Sequence, residues 1–94
     1  MPDLIAQGAD YRKRWRRPLP VDQEVVLGRG SQAWGVSWDT RISRQHALLR
    51  WEHGRLHVEA MPGASNAIFY QGVEQDHFEI PLGEHFVIGE TTFA

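Results

Sequence analysis

The stretch ALLRWEHGRLHVEA, residues 47–60, decides the fold class of this chain. After its glycine, Leu56, Val58 and Ala60 alternate with polar residues, so their side chains fall on one face of an extended strand. The residues before the glycine alternate in the same way. Gly54, between the two runs, supplies the positive φ that a tight turn requires. The stretch therefore predicts a β-hairpin with one buried face.

The same alternation continues through the second half of the sequence. Phe78 and Ile80 alternate with polar neighbours, and so do Phe86 and Ile88, with the turn sequence PLGE at 81–84 between them. This pattern predicts a second hairpin. Further short strands are predicted at 25–27, 68–70 and 91–93. No window repeats the i, i+3, i+4, i+7 apolar spacing of a helix beyond one turn, so the chain is predicted to be an all-β sandwich.

Length and composition exclude several classes of protein. With 94 residues the chain can hold one domain, and 41% hydrophobic residues are enough for one core. The absence of cysteine excludes a disulfide scaffold, a thiolate zinc site and a thiol nucleophile. No apolar run is long enough for a membrane span or a signal peptide. We therefore expect a cytoplasmic protein without membrane contact.

Charge is distributed unevenly along the chain. Residues 1–47 hold eight Lys or Arg against five Asp or Glu, whereas residues 48–94 hold two against seven. The first half could thus attract an anion. Its run RKRWRR, residues 12–17, resembles a nucleic-acid patch. An edge strand kept soluble by its charges, with Trp15 facing inward, explains the run equally well, and we expect no nucleic-acid partner.

Residues that could support catalysis or metal binding occur, but not in the required patterns. His53 and His57 fall on a turn and on the outer face of a strand, and no second pair has metal-ligand spacing. Ser43 and His46 could act as nucleophile and base, but no nucleophile elbow surrounds the serine. The glycine-rich residues 28–31 lack the Lys-Ser/Thr ending of a phosphate-binding P-loop. The sequence predicts no metal, no cofactor and no enzymatic activity.

Two long loops are the expected location of function. They cover residues 28–45 and 61–66, and loops on a small rigid sandwich commonly bind ligands. Residues 1–10 are weakly patterned and are expected to form a leader or a surface strand, with the domain at 11–94. The chain ends directly after a predicted strand begins, so we expect the domain to be part of a larger protein that continues beyond residue 94.

Short motifs on these loops follow one another in a definite order. They are Gly28-Arg29, Ser43-Arg44-Gln45-His46, Ser65-Asn66, Gln71-Gly72 and Ile88-Gly89. As an ordered set, over about residues 25 to 93, they resemble the forkhead-associated (FHA) domain. The family pattern is Gly-Arg, Ser-Arg-x-His, Ser/Thr-Asn-Gly with or without one intervening residue, a second Asn-Gly, and a closing Ile-Gly. The resemblance implies an FHA-type β-sandwich of two mainly antiparallel sheets with about 10 to 11 short strands.

The resemblance also implies a ligand, a phosphothreonine peptide held by loops at one end of the sandwich. A phosphate carries about −1.5 to −2 charges and three strong acceptor oxygens, which suits arginine, hydroxyl and backbone donors. By motif position, Arg29 and Ser43 contact the phosphate and Arg44 adds charge nearby. Ser65 helps to close the pocket, and Asn66 bonds the peptide backbone beside the phosphorylated residue.

Three further residues take roles from the same resemblance. Gly28 is structural, and His46 is a buried brace that hydrogen-bonds the loops into shape. Arg41 matches a position that in some members reads the third residue after the phosphothreonine, where an acidic residue would be preferred. A surface ion pair between Arg41 and Asp39 is an equally weighted alternative.

Two departures from the family pattern leave a second function open. The chain has Asn66-Ala67-Ile68 where the family has Asn-Gly-Thr, and Gln71-Gly72 where it has a second Asn-Gly. Ala67 does not readily adopt the positive φ that a glycine supplies. An FHA-fold module that binds a partner, or a second copy of itself, without phosphate is the alternative. Trp34 and Trp38 would be its anchors, although such aromatics more often plug the edge of the core.

Together these features predict a bacterial-type signalling module that binds a phosphothreonine-containing protein. In proteins with such modules the adjoining effector domain is a kinase, a nucleotide cyclase or a transcription regulator. We expect one of these classes of domain to adjoin the module in the full-length protein.

Overall fold

Alternating apolar residues shape the described parts of the chain into strands. The protein is represented by a computed structural model that describes residues 2–30 and 34–94. Within them, ten strands and no helix occur. The strands are β1 (Asp3–Gln7), β2 (Arg14–Pro18), β3 (Glu24–Leu27), β4 (Ala47–Glu52), β5 (Arg55–Ala60), β6 (Ile68–Tyr70), β7 (Val73–Glu74), β8 (His77–Pro81), β9 (Phe86–Ile88) and β10 (Thr91–Phe93).

These strands form two antiparallel sheets. The six-stranded sheet has the order β2-β1-β10-β9-β6-β7, and the four-stranded sheet has the order β3-β4-β5-β8. The predicted all-β sandwich of two antiparallel sheets is therefore confirmed. None of the described residues belongs to a helix with the length and hydropathy that crossing a membrane would need.

The hairpin predicted from residues 47–60 is present as β4 and β5. Leu49 lies opposite Val58, and both side chains are completely buried. His53 and Gly54 both have positive φ, 54° and 74°. This is the backbone geometry of a two-residue turn that matches the twist of its strands. Local turn chemistry and alternation together fix this element.

The second predicted hairpin, from residues 78–88, is wrong. β8 pairs with β5 in the four-stranded sheet, whereas β9 pairs with β10 and β6 in the six-stranded sheet. The turn at 81–84 exists, but it carries the chain from one sheet to the other. Phe78 and Phe86 both face inward as expected, and they meet edge to face across the core with ring centroids 5.8 Å apart. Alternation identified their inward faces correctly and their strand pairing incorrectly.

The N-terminal boundary also differs from the prediction. Residues Asp3–Gln7 form β1, which lies between β2 and β10 inside the six-stranded sheet. Leu4 and Ala6 of this strand are buried in the core. The sandwich thus begins at Asp3 and not at residue 11. β2 is an edge strand, and its Trp15 is half-buried while its arginines are exposed.

Candidate functional site

Gly28 allows two segments of the long β3–β4 connection to lie in direct contact. The backbone N–H of Arg29 donates to the carbonyl of Ser43 at 2.9 Å, and that of Gly30 donates to the carbonyl of Arg44 at 3.4 Å. A Cβ at position 28 would lie 2.1 Å from the Arg44 carbonyl oxygen. Only glycine permits this approach, which places Arg29 beside Ser43.

His46 links the two long loops by hydrogen bonds from the buried side. Its side chain is completely buried, and its Nδ1 accepts the backbone N–H of Ser43 at 2.9 Å. Because Nδ1 accepts, the proton is on Nε2, which donates to the carbonyl of Asn66 at 2.8 Å. The His46 backbone bonds the carbonyl of Leu27 and the N–H of Met61. One residue thus sets the relative position of the segments that carry Ser43 and Asn66.

Burial keeps the His46 ring neutral. Desolvation lowers the pKa of His46, although the bond to the Asn66 carbonyl and the charge of Asp39 raise it in part. The ring bonds the backbone of Ser43 and not its hydroxyl, so the pair is not arranged as a base with its nucleophile.

The Ser43 hydroxyl takes part in a different contact. Its Oγ accepts the backbone N–H of Ser65 at 3.0 Å. The Asn66 side chain donates through Nδ2 to the carbonyl of Arg41 at 2.8 Å. The structure therefore brings Ser43, Ser65, Asn66 and Arg41 together at one end of the sandwich. Ala67, where the family pattern has a glycine, does not have a positive φ. Positive φ occurs instead at Gln71 and Gly72, in the turn that follows β6.

The three arginines of this end differ in their partners. Arg29 donates one guanidinium N–H to the carbonyl of Thr40 at 3.2 Å. Arg41 forms an exposed ion pair with Glu90, with Nη1 and Oε1 3.3 Å apart, and not with Asp39. Within residues 2–30 and 34–94, neither Arg29 nor Arg44 has a carboxylate within ion-pair distance. Two positive charges at this end are thus not neutralised by a described residue.

Asp39 is a structural part of this end, a role that the sequence did not identify. It is only 5% exposed. Oδ1 accepts the backbone N–H of Arg41 at 3.0 Å, and Oδ2 accepts the Glu90 N–H and the Thr91 hydroxyl, each at 2.8 Å. Trp38 Nε1 in turn donates to the Thr91 hydroxyl oxygen at 3.1 Å. This buried carboxylate fastens the loop that carries Arg41 to the β9–β10 turn.

The Asp39 carboxylate is held in its charged form. Burial alone would raise the pKa of Asp39, but the bonds from Thr91, Glu90 and Arg41 together lower it below its usual value. Gly89 makes room for the group, because a Cβ there would lie 2.8 Å from Oδ2. One signal was readable in the sequence, since aspartate often accepts the backbone N–H two residues later in a turn.

Both loop tryptophans are engaged with the body of the sandwich. Trp34 packs edge to face on Trp15 with centroids 5.7 Å apart, and Trp15 Nε1 donates to the carbonyl of Gly35 at 2.8 Å. Trp38 is held by its bond to Thr91. Each is half-buried and packs against the core. Both tryptophans therefore pack as loop aromatics that close the edge of the core.

An open groove passes along the arginine side of this end. The residues that line it include Val26, Arg29, Trp34, Ser43, Arg44 and Met61. Its lining combines Arg29 and Arg44, which have no carboxylate partner among the described residues, with apolar side chains. This combination suits an anionic group attached to an extended chain.

Comparison with known proteins places these features in context. A family model described as the FHA domain matches residues 25–89. The structure is similar to the FhaA FHA domain in complex with the intracellular domain of Rv3910 (TM-score 0.76, 19% identity, 96% of each chain covered). It is also similar to the FHA domain of CT664 from Chlamydia trachomatis (TM-score 0.78, 18% identity, 98% of this chain and 94% of that one).

A third similar structure comes from an analysis of phosphothreonine-dependent FHA domain interactions (TM-score 0.73, 17% identity, 98% of this chain and 93% of that one). No curated protein sequence matches the chain. At these identities the structural likeness establishes the shared fold.

Proposed function

Because the chain belongs to the FHA domain family, we propose that it is a protein-interaction module that binds a phosphothreonine-containing segment of a partner protein. The observation that carries this proposal is the close placement of Arg29 beside Ser43 across Gly28. Arg44 adds a second positive charge without a carboxylate partner among the described residues. A doubly charged phosphate at this place would neutralise both arginines.

The free hydrogen-bonding capacity of the site matches a phosphate. Ser43 Oγ already accepts the Ser65 N–H, so its hydroxyl hydrogen is available to donate to a phosphate oxygen. Arg29 uses one N–H on the Thr40 carbonyl and retains the others in a planar fork. Two kinds of donor are thus available on backbone segments that lie side by side, which supports binding of a group with three acceptor oxygens.

Asn66 can recognise the peptide that carries the phosphate. One hydrogen of its Nδ2 is used on the Arg41 carbonyl, which fixes the orientation of the amide. The second hydrogen and the Oδ1 atom are left to pair with a backbone carbonyl and a backbone N–H. An extended segment beside the phosphorylated residue presents both groups.

The proposed activity is binding without a chemical step. His46 is neutral and bonds the Ser43 backbone, so it is not placed to activate the Ser43 hydroxyl. The domain would select a phosphorylated partner and release it again unchanged. The similar structure from the analysis of phosphothreonine-dependent FHA domain interactions supports this choice of ligand.

The test is fluorescence anisotropy with a degenerate phosphothreonine peptide library and its unphosphorylated twin. We expect Arg29→Ala to weaken phosphopeptide affinity by about 10 to 150 fold, because a charge-assisted hydrogen bond contributes roughly 1.5 to 3 kcal/mol. Arg29→Lys should recover part of the loss, since it keeps the charge and not the fork. The matched control is Arg55→Ala, an exposed arginine at the β4–β5 turn.

Two results would overturn the proposal. One is an absence of phosphopeptide binding at about 1 mM, a concentration at which even weak recognition is detectable. The other is equal affinity for the phosphorylated and unphosphorylated twins. Equal affinity would favour an FHA fold that recognises its partner without phosphate.

A further inference from the structure

The outer face of the six-stranded sheet carries one continuous row of residues. Strand register places each member directly opposite the next, from the β2 edge to the β7 edge. This outer row consists of Arg14, Gln7, Thr92, Val87, Phe69 and Glu74. Directly opposed side chains lie about 4.5 to 5.5 Å apart at Cβ, so neighbours in the row are in contact range.

The outer row contains two neighbouring apolar residues, Val87 and Phe69. Phe69 is 43% exposed, which is unusual for a phenylalanine in a small domain. Val87 stands beside it and is only half-buried. Ile5 lies on the same face two residues from Gln7 and is also half-buried. Val87 and Phe69 form an apolar pair on β9 and β6 that no described part of the chain covers, and Ile5 adds a further apolar side chain on β1.

The two ends of the outer row carry opposite charges. Arg14 on β2 and Glu74 on β7 have no hydrogen bond or ion pair from their side chains within residues 2–30 and 34–94. Their neighbour Arg16, in contrast, is paired with Asp3. Five strand spacings separate Arg14 from Glu74, a distance of about 24 Å. From the β2 edge to the β7 edge, the row is therefore basic at Arg14, polar at Gln7 and Thr92, apolar at Val87 and Phe69, and acidic at Glu74.

The outer face of the four-stranded sheet lacks this pattern. Its middle strands carry ion pairs, with Arg50 Nε 3.0 Å from Glu52 Oε2 and His57 Nε2 3.7 Å from carboxylate oxygens of both Glu52 and Glu79. Arg55 and Glu59 on the same face are exposed and have no ion pair within residues 2–30 and 34–94. The four-stranded face is thus charged across its middle, where the six-stranded face carries Ile5, Val87 and Phe69.

We propose that a second copy of this chain covers the outer row, so that the protein forms a face-to-face dimer. The occupant follows from charge: a row that is basic at one end and acidic at the other complements itself when reversed. A two-fold axis along the strands brings Arg14 over Glu74 of the partner subunit. An axis along the row would place Arg14 over its own copy, which like-charge repulsion disfavours. Twisted sheets pack in this way at about −30° and about 10 Å.

The test is sedimentation equilibrium of the full chain, without peptide, from about 1 μM to about 1 mM, the range in which a modest interface would associate. We expect a monomer–dimer equilibrium. Arg14→Glu and Glu74→Arg should each raise the dimer Kd at least about tenfold, and the double variant should restore it. Phe69→Ser should also raise the Kd. Arg55→Glu, the same charge change on the opposite sheet, should not.

Three outcomes would overturn this assignment. They are a monomer at every concentration, a dimer that neither charge reversal weakens, and a double variant that stays as weak as the single ones. All variants concern exposed side chains, and circular dichroism checks that each is folded. Because no phosphopeptide is present, failure here is independent of the proposed phosphothreonine recognition.

Discussion

The binding end of the sandwich consists of two layers that differ in how their polar groups are used. In the buried layer, His46 and Asp39 have every hydrogen-bonding atom paired, and no buried side-chain nitrogen or oxygen among the described residues lacks a partner. In the surface layer, Arg29 and Arg44 keep donors that are not used within the described chain. The difference implies that the buried layer determines shape and the surface layer determines binding.

Of the substitutions in the buried layer, Gly28→Ala is expected to lower the free energy of unfolding the most. The new Cβ would meet the Arg44 carbonyl oxygen at 2.1 Å, and backbone cannot move aside as a flexible side chain would. Overpacking of this kind costs about 1 to 3 kcal/mol, and we expect the upper end or more. Urea denaturation should show the loss. Gly63→Ala is the control, because nothing lies within 4 Å of its added Cβ. Equal midpoints for the two variants would contradict the close approach.

His46→Ala should destabilise the domain by about 1 to 3 kcal/mol, because it leaves the Ser43 N–H and the Asn66 carbonyl without their buried partner. Thermal melting measures the effect. His85→Ala, at an exposed position, should leave the melting temperature nearly unchanged. An unchanged melting temperature of His46→Ala together with an altered peptide affinity would instead show that His46 belongs to the surface layer, which determines binding.

The pH dependence of stability separates the two layers without changing ligand contacts. Burial lowers the pKa of His46 from 6.5, so below about pH 6.5 the unfolded chain binds a proton that the folded chain refuses. Its contribution to stability is present above that pH and is lost as pH falls toward the folded pKa. Urea unfolding from about pH 8 to about pH 5 should show this decline, and His46→Gln should reduce it. Identical slopes for the two proteins would contradict the buried neutral ring.

Asp39 contributes in a separate range. Its pKa is lowered, so its stabilisation is present above its usual value of 3.8 and is lost only as pH falls through the folded pKa. The two buried groups therefore act in different pH windows.

The smallest effect is expected from Arg41→Ala. Both members of the Arg41–Glu90 pair are 61% exposed, and exposed ion pairs typically contribute about 0.2 to 1 kcal/mol or less. Thermal melting should therefore change little. Glu90→Ala should cause a comparably small shift, and a double-mutant cycle gives the pair energy. A loss as large as that of His46→Ala would place the Arg41 side chain in the buried layer.

The sequence predicted the inward faces of strands better than their pairing. The β4–β5 hairpin depends on local signals, namely alternation and a turn at His53 and Gly54, and it was predicted correctly. Phe78 and Phe86 were both assigned to the core, but alternation does not specify the sheet to which a strand belongs. For β8 that choice depends on β5, and for β9 it depends in part on β6, and both partners lie far away in sequence.

The same limit applies to the binding end. The ordered motifs identified Arg29, Ser43 and Asn66 as candidate site residues, because each motif is a short run of residues that are neighbours in the sequence. Asp39 was considered only as an alternative surface partner of Arg41, since its burial depends on Glu90 and Thr91, which follow it by 51 and 52 residues. Only the folded chain brings these groups together.

In the proposed dimer, the direction of the outer row determines whether one partner protein can engage both binding ends. A two-fold axis along the strands leaves both binding ends of the proposed pair facing the same way. One partner protein with two phosphorylated threonines could then engage both ends at once, and the second contact would form at an effective concentration in the millimolar range when the linker between them is short. Singly phosphorylated partners would gain nothing from the pairing. The affinity of the dimer would thus be low for a partner with one phosphothreonine and much higher for a partner with two.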